Sequence, residues 1–223
     1  MAAKISPDMS FDDIEGEIIY TRSAVEADPD AADLLPMTDP WMPWTDAARA
    51  TERDARVAVV RAAALRRVSN ARVDIACVKF GDELALVANE GSARFKRFFS
   101  GVGAATARAF VRLPFGEQLG RIGAWLEGSA DEVLERHRPA LTQWKGAGDD
   151  ALNATLKTAS ARGDAAVARE TLAEDLTRAR DGLHARLVER ANERGLPRSW
   201  PNTFFQPRTR RDDDAGSPPT PPS

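Results

Sequence analysis

The side chains best suited to acid–base, nucleophilic or metal chemistry are two histidines and one cysteine. Asp181 precedes His184 by three residues, which places a carboxylate and an imidazole on one helical face. Di-iron bundles use two Glu-x-x-His pairs with two further carboxylates, and this chain has one rough analogue. A nucleophilic Cys77 would need His137 or His184 beside it, which the sequence does not show. We therefore expect no catalytic residue, metal or cofactor, and a non-enzymatic protein is favoured.

Basic residues in two stretches are the next candidates, here for contact with nucleic acid. The first stretch repeats arginine at the i, i+4, i+7 spacing of one helix face, and the second alternates cations with phenylalanines. Cations between aromatic rings are typical of surfaces that bind phosphates and stack bases. The alternative is a solvated helix face whose phenylalanines belong to the core. The candidate contacts are Arg49, Arg53, Arg56, Arg94, Lys96 and Arg97.

Two aromatic segments are candidates for contact with a protein partner. Trp41 and Trp44 lie among prolines before the main helical region, and Trp200, Phe204 and Phe205 follow it. Large exposed aromatic side chains are uncommon, so these rings are expected to cover apolar surface. They cover either the end of this protein's own helical body or the surface of a partner.

Charge is distributed unevenly along the chain, although Lys+Arg (31) and Asp+Glu (34) nearly balance overall. Residues 1–46 hold eleven acidic and two basic residues, whereas 47–112 hold thirteen basic and six acidic residues. An acidic arm next to a cationic body can shield that body or compete with an anionic partner. The single cysteine excludes an internal disulfide, and we find no apolar run long enough to span a membrane.

Apolar spacings of three and four residues predict helices throughout and reject strands. The longest such stripe in the first half is expected to face the core, and it consists of Val57, Val60, Ala64, Val68, Ala71, Ile75 and Val78. A later stripe is Val167, Leu172, Leu176, Ala179, Leu183, Leu187 and Ala191. Glycines predict helix breaks at 81, 146–148 and 163. Ser129 is the expected N-cap of the helix that follows it in the sequence.

The sequence therefore predicts an all-α protein, a compact bundle of about five to seven helices. Residues 1–44 are expected to be a flexible acidic arm, 45–206 the bundle, and 207–223 a disordered charged and proline-rich tail. We expect an interaction protein (an adaptor, assembly or regulatory subunit) that acts through helix faces and its tryptophan-bearing flanks. We expect its partner to be another protein or further copies of itself, and we expect no binding to a membrane. The expected location is the cytoplasm. The alternative is a nucleic-acid-binding protein restrained by the acidic arm.

Overall fold

A computed structural model describes residues 4–99, 106–128 and 130–206. Within these ranges the chain forms six α-helices and two 3-10 helices and no strand, which confirms the all-α prediction. The α-helices are α1 (Phe11–Ala27), α2 (Trp41–Ala88), α3 (Ala93–Phe99), α4 (Ala107–Phe110), α5 (Phe115–Gly128) and α6 (Glu132–Arg194). The 3-10 helices are Ala32–Thr38 and Trp200–Phe204. The predicted tail at 207–223 lies outside the described residues.

The chain divides into two compact units, and α2 and α6 each contribute to both. The terminal unit comprises the described residues of 1–52 and 165–206, and the middle unit comprises those of 53–164. Of the two predicted boundaries, the one between residues 44 and 45 lies inside the described residues. That boundary lies within α2.

Two segments predicted to belong to a flexible arm, Phe11–Ala27 and Ala32–Thr38, are helical in the structure and belong to the terminal unit. The Ser10 hydroxyl oxygen accepts a hydrogen bond from the Asp13 amide at 3.1 Å and caps α1. Ile14 and Ile18 are buried in one core with Leu176 and Leu183 of α6. Burial of this apolar side outweighs the acidic, proline-containing composition on which the prediction of a flexible arm relied.

A buried ion pair also fixes α1 on α6. Arg180 Nη1 donates to Glu17 Oε2 at 2.6 Å, and both side chains are almost fully buried. The Arg180 guanidinium also lies over the Phe205 ring, 5.2 Å from its centroid. Removing one partner would leave an uncompensated charge in the core, so this pair strongly favours one placement of α1.

Aromatic rings form the centre of the middle unit. Trp125 of α5 lies 4.8–5.9 Å, centroid to centroid, from four phenylalanine rings. Those phenylalanines come from α2, α3 and α4 and are Phe80, Phe98, Phe99 and Phe110. The short helices α3 and α4 are thus held by burial of large rings rather than by their own length.

The face of α2 that points into this core is not the predicted one. The residues of α2 buried in the middle-unit core are Val73, Ala76, Cys77, Phe80 and Leu84. Val57, Val60, Val68 and Ile75 of the predicted core stripe are exposed. The prediction was wrong because both sides of α2 are apolar, and helical periodicity alone does not say which side is covered.

The predicted glycine breaks are also absent, since α2 continues through Gly81 and α6 through Gly146, Gly148 and Gly163. A glycine inside a helix costs only about 1 kcal/mol, which tertiary packing can outweigh. At two of these positions the neighbouring side chains pack so closely that there is no room for a Cβ atom. A Cβ on Gly148 would lie 2.7 Å from Leu119 Cδ2, and one on Gly81 would overlap the Ala107 side chain.

We predict that Gly81→Ala lowers the free energy of unfolding by about 1–3 kcal/mol, because the added methyl overpacks the contact with Ala107. Gly120→Ala is the matched control, since a Cβ there meets nothing within 4 Å. Ala is a better helix former than Gly, so the control should stabilise the protein slightly. Urea denaturation followed by circular dichroism measures both effects. Equal unfolding midpoints for the two variants would contradict the packing described here.

Candidate functional site

An apolar stripe on α2, within the middle unit, faces solvent. We call it the outward stripe, and it consists of Val57, Val60, Ala64, Val68, Ala71 and Ile75. The exposed fractions of its four larger side chains are 58% for Val57, 63% for Val60, 59% for Val68 and 48% for Ile75. At 1.5 Å per residue the stripe runs for about 27 Å. A contiguous exposed apolar surface of this kind is typical of a binding surface.

The residue types of the outward stripe suit packing against another helix. Valine and isoleucine are stiff at χ1, so little side-chain entropy is lost when they are covered. Alanines at 64 and 71 leave shallow positions between these side chains, into which the side chains of a facing helix can fit. The spacings of three and four residues keep all six side chains on one face of α2.

Arginines border the outward stripe on both sides. Residues 55–75, which include the whole stripe, contain five arginines and one acidic residue, Asp74. At 100° per residue, Arg61 and Arg72 lie along one edge of the stripe, and Arg56 and Arg67 lie along the other. Within the described part of the chain, no carboxylate forms an ion pair with any of these four. The stripe therefore lies in a positive local field.

The aromatic residues predicted to bind a partner lie largely within the terminal unit. Trp41, Phe204 and Phe205 are buried in its core, and Trp200 packs against that core. Trp200 Nε1 donates to Asp28 Oδ2 at 2.9 Å, so its polar atom is also paired inside the protein. Trp44, with 38% of its surface exposed, is the most accessible of the five. Partner contact through the buried rings would require this core to open.

The six predicted nucleic-acid contacts do not form one surface of free cations. Arg49 belongs to the terminal unit and forms ion pairs of 2.8 Å with Asp12 and with Glu15. The other five belong to the middle unit. Arg97 donates to the Gly128 carbonyl at 3.2 Å, and Arg53 lies 3.5 Å from the Asp54 carboxylate. Arg56 and Lys96 are exposed.

Arg94 binds Asp131, the residue that directly precedes α6. Its guanidinium donates to both Asp131 oxygens, at 2.7 and 3.0 Å. Asp131 Oδ1 also accepts from the backbone amides of Val133 at 2.9 Å and Leu134 at 3.3 Å. Asp131 is thus the N-cap that the sequence analysis assigned to Ser129, which lies outside the described residues. The Arg94 guanidinium lowers the pKa of the Asp131 carboxyl, and the two backbone amides act in the same direction.

Each histidine has a polar partner within its own unit, and the cysteine is buried. His137 Nε2 lies 2.7 Å from Glu83 Oε2, and this contact lowers the pKa of Glu83, with a further contribution from Arg136. His184 Nε2 lies 3.2 Å from Asn202 Oδ1 in the terminal unit. Cys77 is fully buried, and burial together with the charge of Asp74 raises the pKa of its thiol. A thiol in that state is a poor nucleophile.

Two searches for other kinds of site gave no candidate among the described residues. Within 4–99, 106–128 and 130–206, no three His, Cys, Asp or Glu side chains are grouped as metal ligands would be. In the same ranges, each helix is too short or too polar to cross a lipid bilayer.

Comparison of the chain with protein-family models, with curated proteins and with solved structures found no match.

We predict that Asp131→Asn destabilises the protein by about 1 kcal/mol at pH 7, because the charge-assisted bonds to Arg94 and the amides weaken. The folded-state pKa of Asp131 is depressed. Its contribution is therefore complete above the unfolded pKa of about 3.9 and is lost as pH falls through the lower folded value. The difference between wild type and variant should shrink between about pH 5 and 2, since protonated aspartate resembles asparagine.

Denaturant titrations at several pH values measure this difference. Glu127→Gln is the control, because Glu127 is exposed and forms no ion pair within the described residues. It should change stability little at any of these pH values. A difference between wild type and Asp131→Asn that stays constant from pH 7 to pH 2 would contradict the assigned role of the carboxylate.

Proposed function

We propose that this chain is a non-enzymatic interaction protein whose binding surface is the outward stripe of α2. It acts as an adaptor, assembly or regulatory subunit by covering this stripe with a helix of a partner protein. The observation that carries the proposal is the presence of two apolar sides on one helix, one buried in the middle-unit core and the other exposed. Covering the exposed half of a valine side chain contributes roughly 1 kcal/mol, so the four large side chains together supply useful binding energy.

The charges beside the outward stripe support an acidic partner. A partner helix with apolar residues at the same three- and four-residue spacings and glutamates or aspartates on its flanks would meet Arg56, Arg61, Arg67 and Arg72. Complementary charges of this kind speed association and fix register. A second copy of α2 would instead bring rows of arginine toward each other, and like charges oppose association. The buried single cysteine fits a reducing compartment, so the proposal places the protein in the cytoplasm.

Nucleic-acid binding is the second candidate function. It is favoured by the basic character of residues 55–73, which contain five arginines and no acidic residue. The ion pairs of Arg49 with Asp12 and Glu15 are in keeping with the predicted restraint by acidic N-terminal residues. Affinity for a single-stranded RNA should then fall steeply with salt and drop again in Arg56→Gln/Arg61→Gln. RNA affinity unchanged by that variant would remove this candidate.

The main proposal predicts binding of a designed helical peptide. The peptide has about 20 residues, leucine and alanine at three- and four-residue spacings, and glutamate on both flanks. Val60→Gln/Val68→Gln should weaken its binding to the full chain about tenfold or more, because two apolar contacts are lost. Val167→Gln is the matched control: Val167 is also exposed but lies on α6 in the terminal unit. Fluorescence anisotropy with the labelled peptide measures the affinities.

Two further comparisons make this test decisive. A peptide with lysine in place of every glutamate should bind at least tenfold more weakly than the acidic one, because it meets the arginines with like charge. Equal loss of binding in the Val60/Val68 and Val167 variants would contradict the proposed surface. Sedimentation equilibrium addresses a second copy as occupant: a dimer abolished by Val60→Gln/Val68→Gln would overturn the acidic-partner assignment.

A further inference from the structure

A cleft on another side of α2, lined entirely by residues of the middle unit, has the character of a small-molecule site. Its volume is about 600 Å³, within the range that ligand pockets occupy. The lining residues come from α2, α5 and α6, and each of these helices belongs at this point to the middle unit. They are Val59, Ala62, Ala63, Arg66, Arg67, Asn70, Phe115, Thr155, Thr158 and Arg162.

Among the described residues, three arginines and no aspartate or glutamate line the cleft. Asp74 accepts a hydrogen bond at 3.1 Å from the side-chain amide of Asn70, one of the lining residues. Arg66 and Arg67 reach it from α2, and Arg162 reaches it from α6. None of the lining residues is acidic, and neither 55–73 nor 151–163 contains an aspartate or glutamate. Within the described part of the chain, these three guanidiniums take part in no ion pair. Three like charges around one concavity repel one another, and a bound anion would relieve that repulsion.

The rest of the cleft is apolar with a few hydrogen-bond acceptors. Val59, Ala62 and the buried ring of Phe115 supply apolar surface. The hydroxyls of Thr155 and Thr158 donate to the carbonyls of Ala151 at 2.9 Å and Thr155 at 2.7 Å. Their oxygens keep lone pairs that can accept hydrogen bonds from a ligand. The cleft therefore combines a cationic part with an apolar part that accepts hydrogen bonds.

We infer that this cleft binds an organic phosphate, a phosphorylated small molecule with an aromatic or apolar body. The phosphate lies among Arg66, Arg67 and Arg162, and the body lies against Phe115 and Val59. Phosphate suits three guanidiniums better than a carboxylate does, because it carries more charge and presents three terminal oxygens to planar donor forks. A nucleoside diphosphate has both required parts and serves as the probe.

The cleft and the outward stripe are separate sites. The six apolar residues of the stripe do not line the cleft, although Arg67 lines the cleft and also lies along one edge of the stripe. At 100° per residue, Val59, Arg66 and Asn70 lie on the side of α2 away from Val57, Val68 and Ile75. The inference therefore does not rest on the proposed function. Val60→Gln/Val68→Gln should leave phosphate binding unchanged, so failure of either proposal can be recognised independently of the other.

Isothermal titration calorimetry of the full chain with ADP at low ionic strength tests the inference. Arg66→Gln/Arg162→Gln should weaken ADP binding at least tenfold, because two charge-assisted contacts to the phosphates are lost. Arg61→Gln is the matched control, since Arg61 is also an exposed α2 arginine without an ion pair in the described residues but does not line the cleft. It should stay within about twofold of wild type. Circular dichroism melting curves check that all variants fold alike.

Three further titrants identify which part of the ligand is bound. Adenosine and inorganic phosphate should each bind at least tenfold more weakly than ADP, because each lacks one of the two parts. Inorganic phosphate binding as tightly as ADP would overturn the organic-phosphate assignment. The third titrant is a single-stranded RNA of about 20 nucleotides. If Arg61→Gln and Arg66→Gln/Arg162→Gln weaken RNA binding equally, the arginines form an extended cationic surface, and the assignment of the cleft as a phosphate site is overturned. Absence of saturable ADP binding at millimolar concentration would also overturn it.

Discussion

The constraint on which the rest of the middle unit depends is that α2 is apolar on two sides and the chain covers only one of them. The covered side carries Ala76, Phe80 and Leu84, which pack with the aromatic rings around Trp125. Helices α3, α4 and α5 converge on that side because their large rings bury the most area there. The opposite side, with Val60, Val68 and Ile75, is left exposed.

Ion pairs sort the arginines into two groups. In the first group the arginines form ion pairs with residues of other elements. Arg94 binds Asp131 at the start of α6, and Arg190 binds Asp33 in the first 3-10 helix. Those contacts lower the pKa of both carboxyls, as expected for charge-assisted hydrogen bonds. In 55–73 no acidic residue is available, and the arginines stay beside the outward stripe and the cleft. The second group is thus available to external anions.

The sequence predicted the helical class correctly, and it predicted buried residues correctly where the apolar side of a helix is the side that the fold covers. Leu172, Leu176, Leu183 and Leu187 of the later stripe are buried, whereas Val167 of the same predicted stripe is exposed. For α2 the periodicity identified residues that share one face of the helix, but the prediction placed that face in the core. The residues of α2 buried with the aromatic rings, among them Ala76 and Cys77, lie on the other side. Periodicity determines which residues share a face, and only the tertiary contacts decide which face is covered.

The remaining errors have similar causes. The sequence predicts helix breaks at glycines 81 and 148, yet each glycine permits a close approach that no local signal reveals. The buried contact between Glu17 and Arg180 joins residues 163 positions apart, so the ordering of α1 was not visible in its acidic composition. The cleft was missed because Arg66, Arg67 and Arg162 come together only when α2 and α6 fold in the middle unit. The excess of arginine in 47–112 includes Arg66 and Arg67 but not Arg162.

The most direct test of the account is methyl NMR of the full chain, titrated with an acidic amphipathic helix of the kind described above. The account predicts that the methyl resonances of Val57, Val60, Val68 and Ile75 shift together and saturate at one affinity. Val73, buried on the other side of α2, and Val167, exposed in the terminal unit, should stay in place. Shifts centred on Val73 or Val167, with the four outward methyl groups unchanged, would contradict it.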